Sequence, residues 1–563
     1  MTLAIKMSDV TFKYDSQSEP TLHHINLNIE QGERVLLSGP SGSGKTTLGQ
    51  LLNGLIPHAY QGEITGDITI NGHNIKDMSI FERSFDIGTV LQDTDTQFVG
   101  LTVAEDVAFA LENDNVTHNE LFSKVQQWAE IMELEELLRV APQALSGGQK
   151  QRVAMAGVLI DDSPILLFDE PLASLDPASG HRMLALLDEL QEKYHLTVIM
   201  IEHRLEDVLQ HRLDRVVVLD RGVITFDGTP DEILKTQALA QYGLAMPGYL
   251  QLLKLAGVSF DGLVNITNPA QITGPDVYDK LQILENSISR QNQTGSPTAE
   301  SILTIQQLTF KYGKQSLFEN IDVTLYEGEL VALVGKNGSG KSTLSKLIAG
   351  FIKPTAGTMT LAGVGDLSGL PIKARADYIG YVSQNPNEMI TQSIIYDEVA
   401  SGLRLRGMSE EELKPRVYEL LKLAGLYGMR EWPITVLSYG QKKRLTIIAV
   451  LALAPKILIL DEPTAGQDYA NAQAIMSFVK HLNKQFNTTV MVITHDMSLM
   501  LSTTDRALVL VDGQLLADLT PASLLNDPHL VEQADLSITT VYELAQQYGL
   551  SNPAALTALI GKG

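Results

Sequence analysis

Two glycine-rich segments of the 563-residue chain have the residue types and spacing of a phosphate-binding loop. Residues 39–47 read Gly-Pro-Ser-Gly-Ser-Gly-Lys-Thr-Thr, and residues 335–343 read Gly-Lys-Asn-Gly-Ser-Gly-Lys-Ser-Thr. In this pattern, main-chain N–H groups face a phosphate chain and the next helix presents its positive end. The predicted phosphate-binding residues are Gly39, Ser41, Gly42, Gly44, Lys45, Thr46 and Thr47, and Gly335, Asn337, Gly338, Gly340, Lys341, Ser342 and Thr343.

The last residues of each glycine segment predict contacts with the far end of a nucleoside triphosphate. We expect the ammonium groups of Lys45 and Lys341 to reach the β- and γ-phosphates. The hydroxyls of Thr46 and Ser342 suit a Mg²⁺ ion. A chance glycine-rich turn is the alternative. It is disfavoured because both segments lie between a strand-like run and a helix-like run.

An Asp-Glu pair follows an apolar run in each half of the sequence. Asp169 and Asp461 end these runs, where a carboxylate is suited to hold Mg²⁺ through water. The next residues, Glu170 and Glu462, could orient or deprotonate the water that attacks a γ-phosphate. Alone, such a pair is more often part of a solvated loop. Beside a glycine loop in the same domain, the catalytic interpretation is favoured.

Two further features recur in each half. His203 and His495 each close a later strand-like run, where an imidazole could donate a hydrogen bond to a γ-phosphate. Residues 145–149 read Leu-Ser-Gly-Gly-Gln and residues 437–441 read Leu-Ser-Tyr-Gly-Gln, each at the start of a predicted helix. The serine hydroxyl and glycine amides suit phosphate, although a plain helix N-cap explains the serine as well.

The recurrence itself indicates one domain present twice. From Gln92 and Gln384 onward, the register between the two copies does not change over more than a hundred residues. We therefore predict a first domain at residues 1–285 and a second at residues 302–563. Residues 286–301 are polar, with Gly and Pro, and are typical of a flexible linker. An exposed loop within one domain is the alternative.

The elements that must position these residues are those of an α/β fold. Short apolar runs precede both glycine loops and both Asp-Glu pairs, and continuous apolar runs are typical of strands covered on both faces. Two further segments predict hairpins with glycine turns. The predicted strands lie at residues 34–38, 165–168, 197–201, 330–334, 457–460 and 490–493, and the hairpins at 216–224 and 507–515.

Composition excludes several classes of protein. The chain has 67 acidic and 42 basic residues, a net charge of −25, which argues against a nucleic-acid-binding surface. It has no cysteine, which excludes disulfides, thiol catalysis and cysteine-ligated metals. No stretch reaches the ~18 uninterrupted apolar residues of a membrane span. Any membrane role is therefore expected to come through a partner.

The combined motifs resemble the ATP-binding subunits of ABC transporters over nearly the whole chain, twice. The resemblance implies two tandem P-loop NTPase domains of ABC type, each with a mainly parallel sheet core, an antiparallel β portion and a helical subdomain. It also implies that the two domains pair head to tail, so that each ATP lies between one domain's glycine loop and the other's Leu-Ser motif. ATP and Mg²⁺ are the implied ligands, and Asp176 and Asp468 match the aspartate loop that links the two sites.

The same resemblance assigns each residue to one of two composite sites. Tyr14 and Tyr312 match the aromatic residue that stacks on adenine, although an ordinary strand tyrosine is the alternative. Gln92 and Gln384 belong to both the catalytic and the metal-binding sets. Site one comprises Lys45, Thr46, Gln92, Asp169, Glu170 and His203 with Ser438 and Gly440, and site two comprises Lys341, Ser342, Gln384, Asp461, Glu462 and His495 with Ser146 and Gly148.

We predict that both sites hydrolyse ATP, because neither lacks a catalytic residue. The second copy has Tyr439 where the family usually has Gly, and Tyr restricts the backbone. Site one, which uses this motif, is therefore expected to be slower than site two.

The segments after each glutamine resemble the energy-coupling-factor ATPases, which import vitamins and transition-metal ions in prokaryotes. They run from Gln92 to Phe109 and from Gln384 to Ala400. The resemblance implies a membrane scaffold protein and a separate substrate-binding membrane protein, with this chain peripheral on the cytoplasmic face of the membrane. The fused form looks like the thiamine-precursor or cobalt group. The predicted contacts with basic helices of the scaffold are Asp93, Asp95, Glu388 and Asp397, with an ordinary solvated loop as the alternative.

Three alternatives remain at this point. A duplicated ABC ATPase acting on ribosomes usually has a long, basic, helical linker, unlike the short polar segment here. A DNA-repair ATPase needs either zinc cysteines or a long coiled-coil insertion between Lys45 and Asp169, and the sequence has neither. A duplicated sugar-importer ATPase commonly has a degenerate second site, whereas Lys341, Glu462 and His495 are all present.

Overall fold

The computed structural model of the chain describes residues 2–114, 116–173, 175–236, 239–289 and 300–561. The chain divides into two compact units. The first unit consists of residues 1–250 and 258–277, and the second of residues 251–257 and 278–563.

Most of the segment predicted as a linker, residues 286–301, lies outside the described residues. Its first residues, 286–289, complete a helix that ends at Ser289, and Ser301 begins a strand. The domain limits at 285 and 302 stay predictions.

The first half of the chain alternates strands and helices. Its strands are β1 (Leu3–Tyr14), β2 (Leu22–Glu30), β3 (Arg34–Ser38), β4 (Gly62–Ile70), β5 (His73–Asn74), β6 (Ile87–Val90), β7 (Ile165–Asp169), β8 (Thr197–Ile201), β9 (Arg215–Asp220) and β10 (Val223–Gly228). Its α-helices are α1 (Lys45–Asn53), α2 (Leu55–His58), α3 (Ile80–Asp86), α4 (Val103–Asn113), α5 (His118–Ile131), α6 (Gly147–Leu159), α7 (Pro177–Tyr194), α8 (Leu205–Leu209), α9 (Pro230–Lys235), α10 (Gly248–Leu255) and α11 (Val277–Ser289). Short 3₁₀ helices lie at Ile75–Asp77, Thr94–Thr96, Glu135–Leu137, Pro142–Ala144 and Leu239–Tyr242.

The first unit has two sheets. A four-stranded antiparallel sheet has the order β2-β1-β4-β5, and a six-stranded sheet has the order β10-β9-β3-β8-β7-β6. The six-stranded sheet is parallel except for β10, which pairs antiparallel with β9. Every residue of β3 and β8 is buried, as the continuous apolar runs predict for strands covered on both faces.

Helices complete the first unit's layers. On α5 the buried residues Val125, Trp128 and Ala129 lie on one face at helical spacing. They pack with residues of α4 and α6 in one apolar core, which also includes Leu166 and Phe168 of β7. The helical portion is thereby attached to the strand that ends at Asp169.

The second half repeats this order. Its strands are β11 (Ser301–Tyr312), β12 (Gln315–Tyr326), β13 (Leu330–Val334), β14 (Ala356–Leu361), β15 (Gly365–Asp366), β16 (Ile379–Val382), β17 (Ile457–Asp461), β18 (Thr489–Ile493), β19 (Arg506–Val511) and β20 (Gln514–Leu519). Its α-helices are α12 (Lys341–Ala349), α13 (Ile372–Arg375), α14 (Ile395–Arg404), α15 (Glu410–Leu423), α16 (Tyr439–Leu451), α17 (Tyr469–Phe486), α18 (Met497–Thr503), α19 (Pro521–Leu524), α20 (Pro528–Gln533), α21 (Thr540–Gln547) and α22 (Pro553–Ile560). Short 3₁₀ helices lie at Pro386–Glu388, Tyr427–Met429 and Ile434–Val436.

The second unit has the same two sheets. Their orders are β12-β11-β14-β15 and β16-β17-β18-β13-β19-β20. The α/β fold with a mainly parallel core, an antiparallel portion and a helical portion is therefore confirmed in both units. Among the described residues, none of the helices combines the length and the apolar character needed to span a bilayer.

The parallel strands explain why residues distant in sequence share one site. In the first unit, β3 leads into the glycine loop, β6 into Gln92, β7 into the Asp169-Glu170 pair and β8 into His203. The carboxyl ends of parallel strands lie at the same edge of a sheet, where ligands of such folds bind. The second unit repeats this arrangement with β13, β16, β17 and β18.

Candidate functional site

The first glycine of each loop has no room for a side chain. Gly39 has φ +136°, and a Cβ there would lie 1.9 Å from the carbonyl oxygen of Leu219. Gly335 has φ +140°, and its Cβ would lie 2.0 Å from the carbonyl oxygen of Leu510. These glycines let the loop pass directly against the neighbouring strand, which any larger residue would prevent.

The glycine before each helix leaves the helix start without a side-chain cap. Gly44 and Gly340 are the N-caps of α1 and α12, both with φ +103°, and neither helix has a side-chain cap hydrogen bond. The hydroxyls of Ser43 and Ser339, beside these glycines, are buried without a hydrogen-bond partner among the described residues. Open helix N–H groups and unpaired hydroxyl donors fit an anionic phosphate at this point.

Both loop lysines fold back over their own loop. Lys45 Nζ donates to the carbonyl oxygens of Gly39 at 2.8 Å and Pro40 at 2.9 Å. Lys341 Nζ donates to the carbonyl oxygens of Gly335 at 2.7 Å and Lys336 at 2.8 Å. The predicted phosphate-binding ammonium groups therefore lie against the glycine loops in both units.

A glutamine, a glutamate and a histidine meet in each unit. In the first, Gln92 Nε2 donates to Glu170 Oε2 at 2.6 Å, and His203 Nε2 lies 3.3 Å from Glu170 Oε1. In the second, the corresponding distances are 3.0 Å from Gln384 to Glu462 and 3.3 Å from His495 to Glu462. We call Lys45, Gln92, Asp169, Glu170 and His203 the first cluster, and Lys341, Gln384, Asp461, Glu462 and His495 the second cluster.

The two glutamates share an uncommon backbone conformation. Glu170 has φ +49° and Glu462 has φ +44°, in the left-handed region of the backbone that residues other than glycine rarely adopt. Each is fixed by a hydrogen bond from its N–H to the end of the next strand, at Ile201 O (2.9 Å) and Ile493 O (3.0 Å). Such local strain is typical of functional sites, where the surrounding structure holds one side chain in place.

Comparisons with known proteins agree on one family. The ABC transporter family model matches residues 22–173 and 318–465. An ABC transporter ATP-binding protein of Enterococcus faecalis is 50% identical, covering 98% of this chain and 97% of that relative. A similarly named protein of Lactiplantibacillus plantarum is 51% identical over the same shares of both chains.

This chain belongs to the ABC transporter ATP-binding proteins. It has two ABC transporter domains and is therefore an ATPase, as the sequence predicted. The structure of CbiO1 from Clostridium perfringens, part of the ABC transporter complex CbiONQ, is also similar. It is 30% identical with a TM-score of 0.39, and the match covers 42% of this chain and 95% of that chain.

In this ABC ATPase, a cavity of about 320 Å³ lies beside the second cluster. That volume is within the lower range of small-molecule sites. The predicted site residues that line it are Tyr312, Asn337, Gly338, Gly340, Lys341, Ser342, Thr343, Glu462 and His495.

The predicted adenine-stacking tyrosines differ between the two domains of the ABC ATPase. The Tyr14 hydroxyl lies 3.0 Å from Thr47 Oγ1 and donates to Gln50 Oε1 at 3.2 Å, which ties β1 to α1. Tyr312 is 55% exposed and lines the cavity of the second unit. Stacking on adenine stays a prediction for both.

The Mg²⁺ aspartates are in unlike surroundings. Burial, and then the neighbouring charge of Glu170, raise the pKa of Asp169 to about 6. Burial also raises the pKa of Asp461, but there the Tyr381 hydroxyl donates to Oδ2 at 2.7 Å and partly offsets the effect. The first unit has Thr89 at the matching position, and its hydroxyl is buried without a partner among the described residues.

The Leu-Ser motifs of the ABC ATPase begin helices. Ser146 and Ser438 are the N-caps of α6 and α16, each in a capping box with the glutamine three residues later. The N-cap interpretation of these serines is therefore confirmed, and the predicted contacts of both serines and of Gly148 and Gly440 with nucleotide stay predictions. Tyr439 is the first residue of α16 and has no positive φ, so the expected backbone restriction does not arise there.

Two residues beside the second cluster were not predicted from the sequence. Tyr381 contacts Asp461, and Lys443 is a fully buried lysine on α16 next to Gln384. Neither residue belongs to a motif, but the constant register between the two copies of the domain could have drawn attention to both. Where the first copy has Thr89 and Gln151, the second has larger polar side chains at otherwise matching positions.

Proposed function

We propose that this ABC ATPase powers import of a small molecule through a membrane partner of energy-coupling-factor type. The cargo class is a vitamin, a vitamin precursor or a metal ion. The observation that carries the hydrolytic part is the Gln-Glu-His arrangement found in both units, with contacts of 2.6–3.3 Å around Glu170 and Glu462. The importer class is supported by the segments after Gln92 and Gln384, which resemble those of energy-coupling-factor ATPases.

Glu170 and Glu462 are the proposed bases or orienting groups for the attacking water. Gln92 and Gln384 hold these carboxylates through their amides, and each glutamate also faces a histidine. A carboxylate held between an amide and an imidazole is fixed in orientation before the water arrives, which lowers the barrier to in-line attack. In the second unit burial opposes ionisation, yet His495, Lys341 and Lys443 together hold the pKa of Glu462 below its usual range.

Mg²⁺ fits the oxygen donors at both loops. Thr46 and Asp169 in the first unit, and Ser342 and Asp461 in the second, offer a hydroxyl and a carboxylate, the hard ligands this ion prefers. Gln92 and Gln384 are the proposed amide ligands. When bound, the ion would neutralise charge on the β- and γ-phosphates. Lys45 and Lys341 would place a second positive charge on the same phosphates.

We further propose that the two domains pair head to tail, with Ser146 and Gly148 completing one site and Ser438 and Gly440 the other. The absence of cysteine allows a clean test. Cysteines introduced at Ser41 and Gln441 should form a disulfide when ATP is trapped by Glu170→Gln and Glu462→Gln together. Equal cross-linking without nucleotide, or none with it, would contradict the pairing.

The proposed contacts with the membrane scaffold involve four acidic residues, Asp93, Asp95, Glu388 and Asp397. Of the predicted acidic groups, Asp95 pairs with Lys150 at 2.7 Å and Asp397 with Arg404 at 2.8 Å. These ion pairs leave less charge for steering a basic partner than the sequence suggested. Asp93→Lys with Glu388→Lys should therefore weaken assembly more than Asp95→Lys with Asp397→Lys, which changes the charge by the same amount. Assembly unaffected by the charge reversal would count against this surface.

The importer class itself is tested by isolating the protein from its native membranes. We expect an integral membrane scaffold and a small substrate-binding membrane protein to copurify, and the bound small molecule to identify the cargo. Peripheral attachment at the cytoplasmic face is part of the same proposal. Cosedimentation with ribosomes and no membrane partner would favour a ribosome-acting ATPase, and a periplasmic or extracellular sugar-binding partner would favour a sugar importer.

A further inference from the structure

The second unit has a buried lysine, Lys443, at a position where the first unit has a glutamine. Lys443 lies on α16 and its side chain is 0% exposed. At the matching position of α6 the first unit has Gln151. An ammonium group is strongly hydrated in water, so burying it is costly unless polar atoms surround it. The partners of Lys443 therefore indicate what the side chain does.

Those partners are main-chain oxygens from two loops. Lys443 Nζ donates to the carbonyl oxygen of Gln384 and lies 3.5 Å from that of Ser383. It also lies 3.4 Å from the carbonyl oxygen of Glu462. Gln384 follows β16 and Glu462 follows β17, so one cation connects the ends of two adjacent strands.

Tyr439 adds a second donor from the same helix. Its hydroxyl donates to the carbonyl oxygen of Gln384 at 3.3 Å, and its ring centroid lies 5.9 Å from Lys443 Nζ. Two side chains of α16 therefore converge on the main chain of Gln384, whose amide holds Glu462 at 3.0 Å. The residue that departs from the Leu-Ser-Gly-Gly-Gln pattern thus belongs to this network.

The first unit forms its glutamine–glutamate pair without this network. Gly147 stands in place of the tyrosine, and Gln151 in place of the lysine. Gln151 Nε2 is buried without a hydrogen-bond partner among the residues that the structure describes. The two units therefore offer an internal comparison. Both have the glutamine–glutamate pair, but only in the second does the lysine of the α6/α16 position contact the main chain of that pair.

We propose that Lys443, assisted by Tyr439, is a positioning residue that fixes Gln384 and Glu462 relative to each other for ATP hydrolysis. Lys443 contacts only main-chain oxygens of these residues, so it acts through them. A misplacement of about 1 Å at a reacting group can cost about 100-fold in rate, so holding two loops in register is a sufficient role. The inference rests on the proposed role of Glu462.

The test measures steady-state ATP hydrolysis by the full chain carrying Glu170→Gln, in which the remaining turnover belongs to the second cluster. Adding Lys443→Met removes the charge and keeps an unbranched side chain. We expect kcat to fall about tenfold and the KM for ATP to change less than about twofold. In the matched control, Gln151→Met in a Glu462→Gln chain should leave kcat within about twofold.

A second variant guards against a folding defect. Tyr439→Phe removes one hydroxyl, and we expect a two- to threefold loss of kcat at an unchanged KM, roughly the weight of one hydrogen bond. Lys443→Gln, which copies the first unit, should give a kcat between those of Lys443 and Lys443→Met. If Lys443→Met does not fold, these two variants decide the matter, and unchanged kcat in both overturns the proposal.

Two outcomes separate this inference from the role of Glu462. A chain with Glu170→Gln and Glu462→Gln that hydrolyses ATP as fast as Glu170→Gln alone refutes the role of Glu462. If that double variant is inactive while Lys443→Met retains its kcat, or changes only KM, the positioning role alone is refuted.

Discussion

The first and second clusters have the same predicted reacting residues but different supports. Around the second, Tyr381 donates to Asp461, and Lys443 connects the loops at Gln384 and Glu462. Around the first, the buried Glu202 precedes His203, and its Oε1 accepts from the His203 N–H at 2.7 Å. The two copies therefore differ in the residues that support the cluster rather than in those predicted to act on the nucleotide.

This difference predicts unequal rates at two sites that have the same set of predicted catalytic residues. Supports that fix a glutamate and its glutamine reduce the share of unproductive geometries, so a better-supported cluster turns over faster. The second cluster has the more extensive network, and we expect it to be the faster one. The sequence led to the same order from the backbone of Tyr439, but the structure gives a different physical reason.

The largest effects should come from Glu170→Gln and Glu462→Gln. Each removes one proposed base, so Glu462→Gln should keep less than half of the turnover and Glu170→Gln more than half, and the double variant should lose at least about 100-fold. The chain with Glu170→Gln should retain more activity than the chain with Glu462→Gln. Steady-state phosphate release measures all three. Full activity in either single variant would break the two-site comparison.

Next in size are alanine substitutions in the glycine loops. Gly39→Ala and Gly335→Ala place a Cβ about 2 Å from a carbonyl oxygen, so the main chain must move, and we expect ATP affinity to fall at least about tenfold. The Cβ of Gly42→Ala meets no atom of the described residues within 4 Å, so only the φ of +77° is unfavourable, and it should destabilise the loop conformation by about 1–2 kcal/mol. Fluorescent nucleotide titration measures the affinities. If Gly39→Ala and Gly335→Ala lowered ATP affinity by unequal factors, the two units would differ in their glycine loops rather than in the residues that support the clusters.

Sequence reasoning was strongest where chemistry requires a residue type. The glycine loop needs positive φ and close approach, and continuous apolar runs predict strands covered on both faces, so β3 and β8 were predicted with their bounds. The strand-like runs also pointed to Glu170 and His203, which follow or close them, whereas the role of Gln92 came from the resemblance to ABC ATPases. The fold class is confirmed by the sheet topology, and the ATPase assignment by the family match.

The sequence did not predict the contacts that support the second cluster. Lys443 binds carbonyl oxygens, which every residue has, so no motif marks its partners. The hydrogen bond from Tyr381 to Asp461 depends on the register in which β16 pairs with β17. That register is a property of the folded sheet and is not marked by any motif. The Tyr439 expectation assumed that the position needs the backbone freedom of glycine, whereas Tyr439 begins α16 without a positive φ and a helical backbone accepts tyrosine.

A pH-dependent stability difference follows from the two aspartates. The pKa of Asp169 is raised to about 6 from an unfolded value near 4, so its stabilising contribution is present below pH 4 and is lost as the pH rises through 6. At pH 7.5 without Mg²⁺ and nucleotide, Asp169→Asn should stabilise the chain by about 1–3 kcal/mol, and at pH 4.5 by much less.

Asp461→Asn is the matched variant for that measurement. Its gain at pH 7.5 should be smaller than that of Asp169→Asn, because Tyr381 already stabilises the Asp461 carboxylate by a hydrogen bond. Thermal unfolding with a chelator at each pH measures both. Equal gains would show that Tyr381 does not distinguish the two aspartates.

The smallest effect should separate the two tyrosines near the glycine loops. Tyr14→Phe removes a hydroxyl that contacts Thr47 and Gln50, and losing one partly buried hydrogen bond costs about 1 kcal/mol, or about 2–4 °C in the unfolding midpoint. Tyr312 is 55% exposed, so Tyr312→Phe should change the midpoint less than about 1 °C. If both tyrosines stack on adenine, both phenylalanine variants keep their nucleotide affinity, since the ring remains. A stability loss at Tyr14 alone, with equal affinities, would therefore show that β1 is tied to α1 only in the first unit.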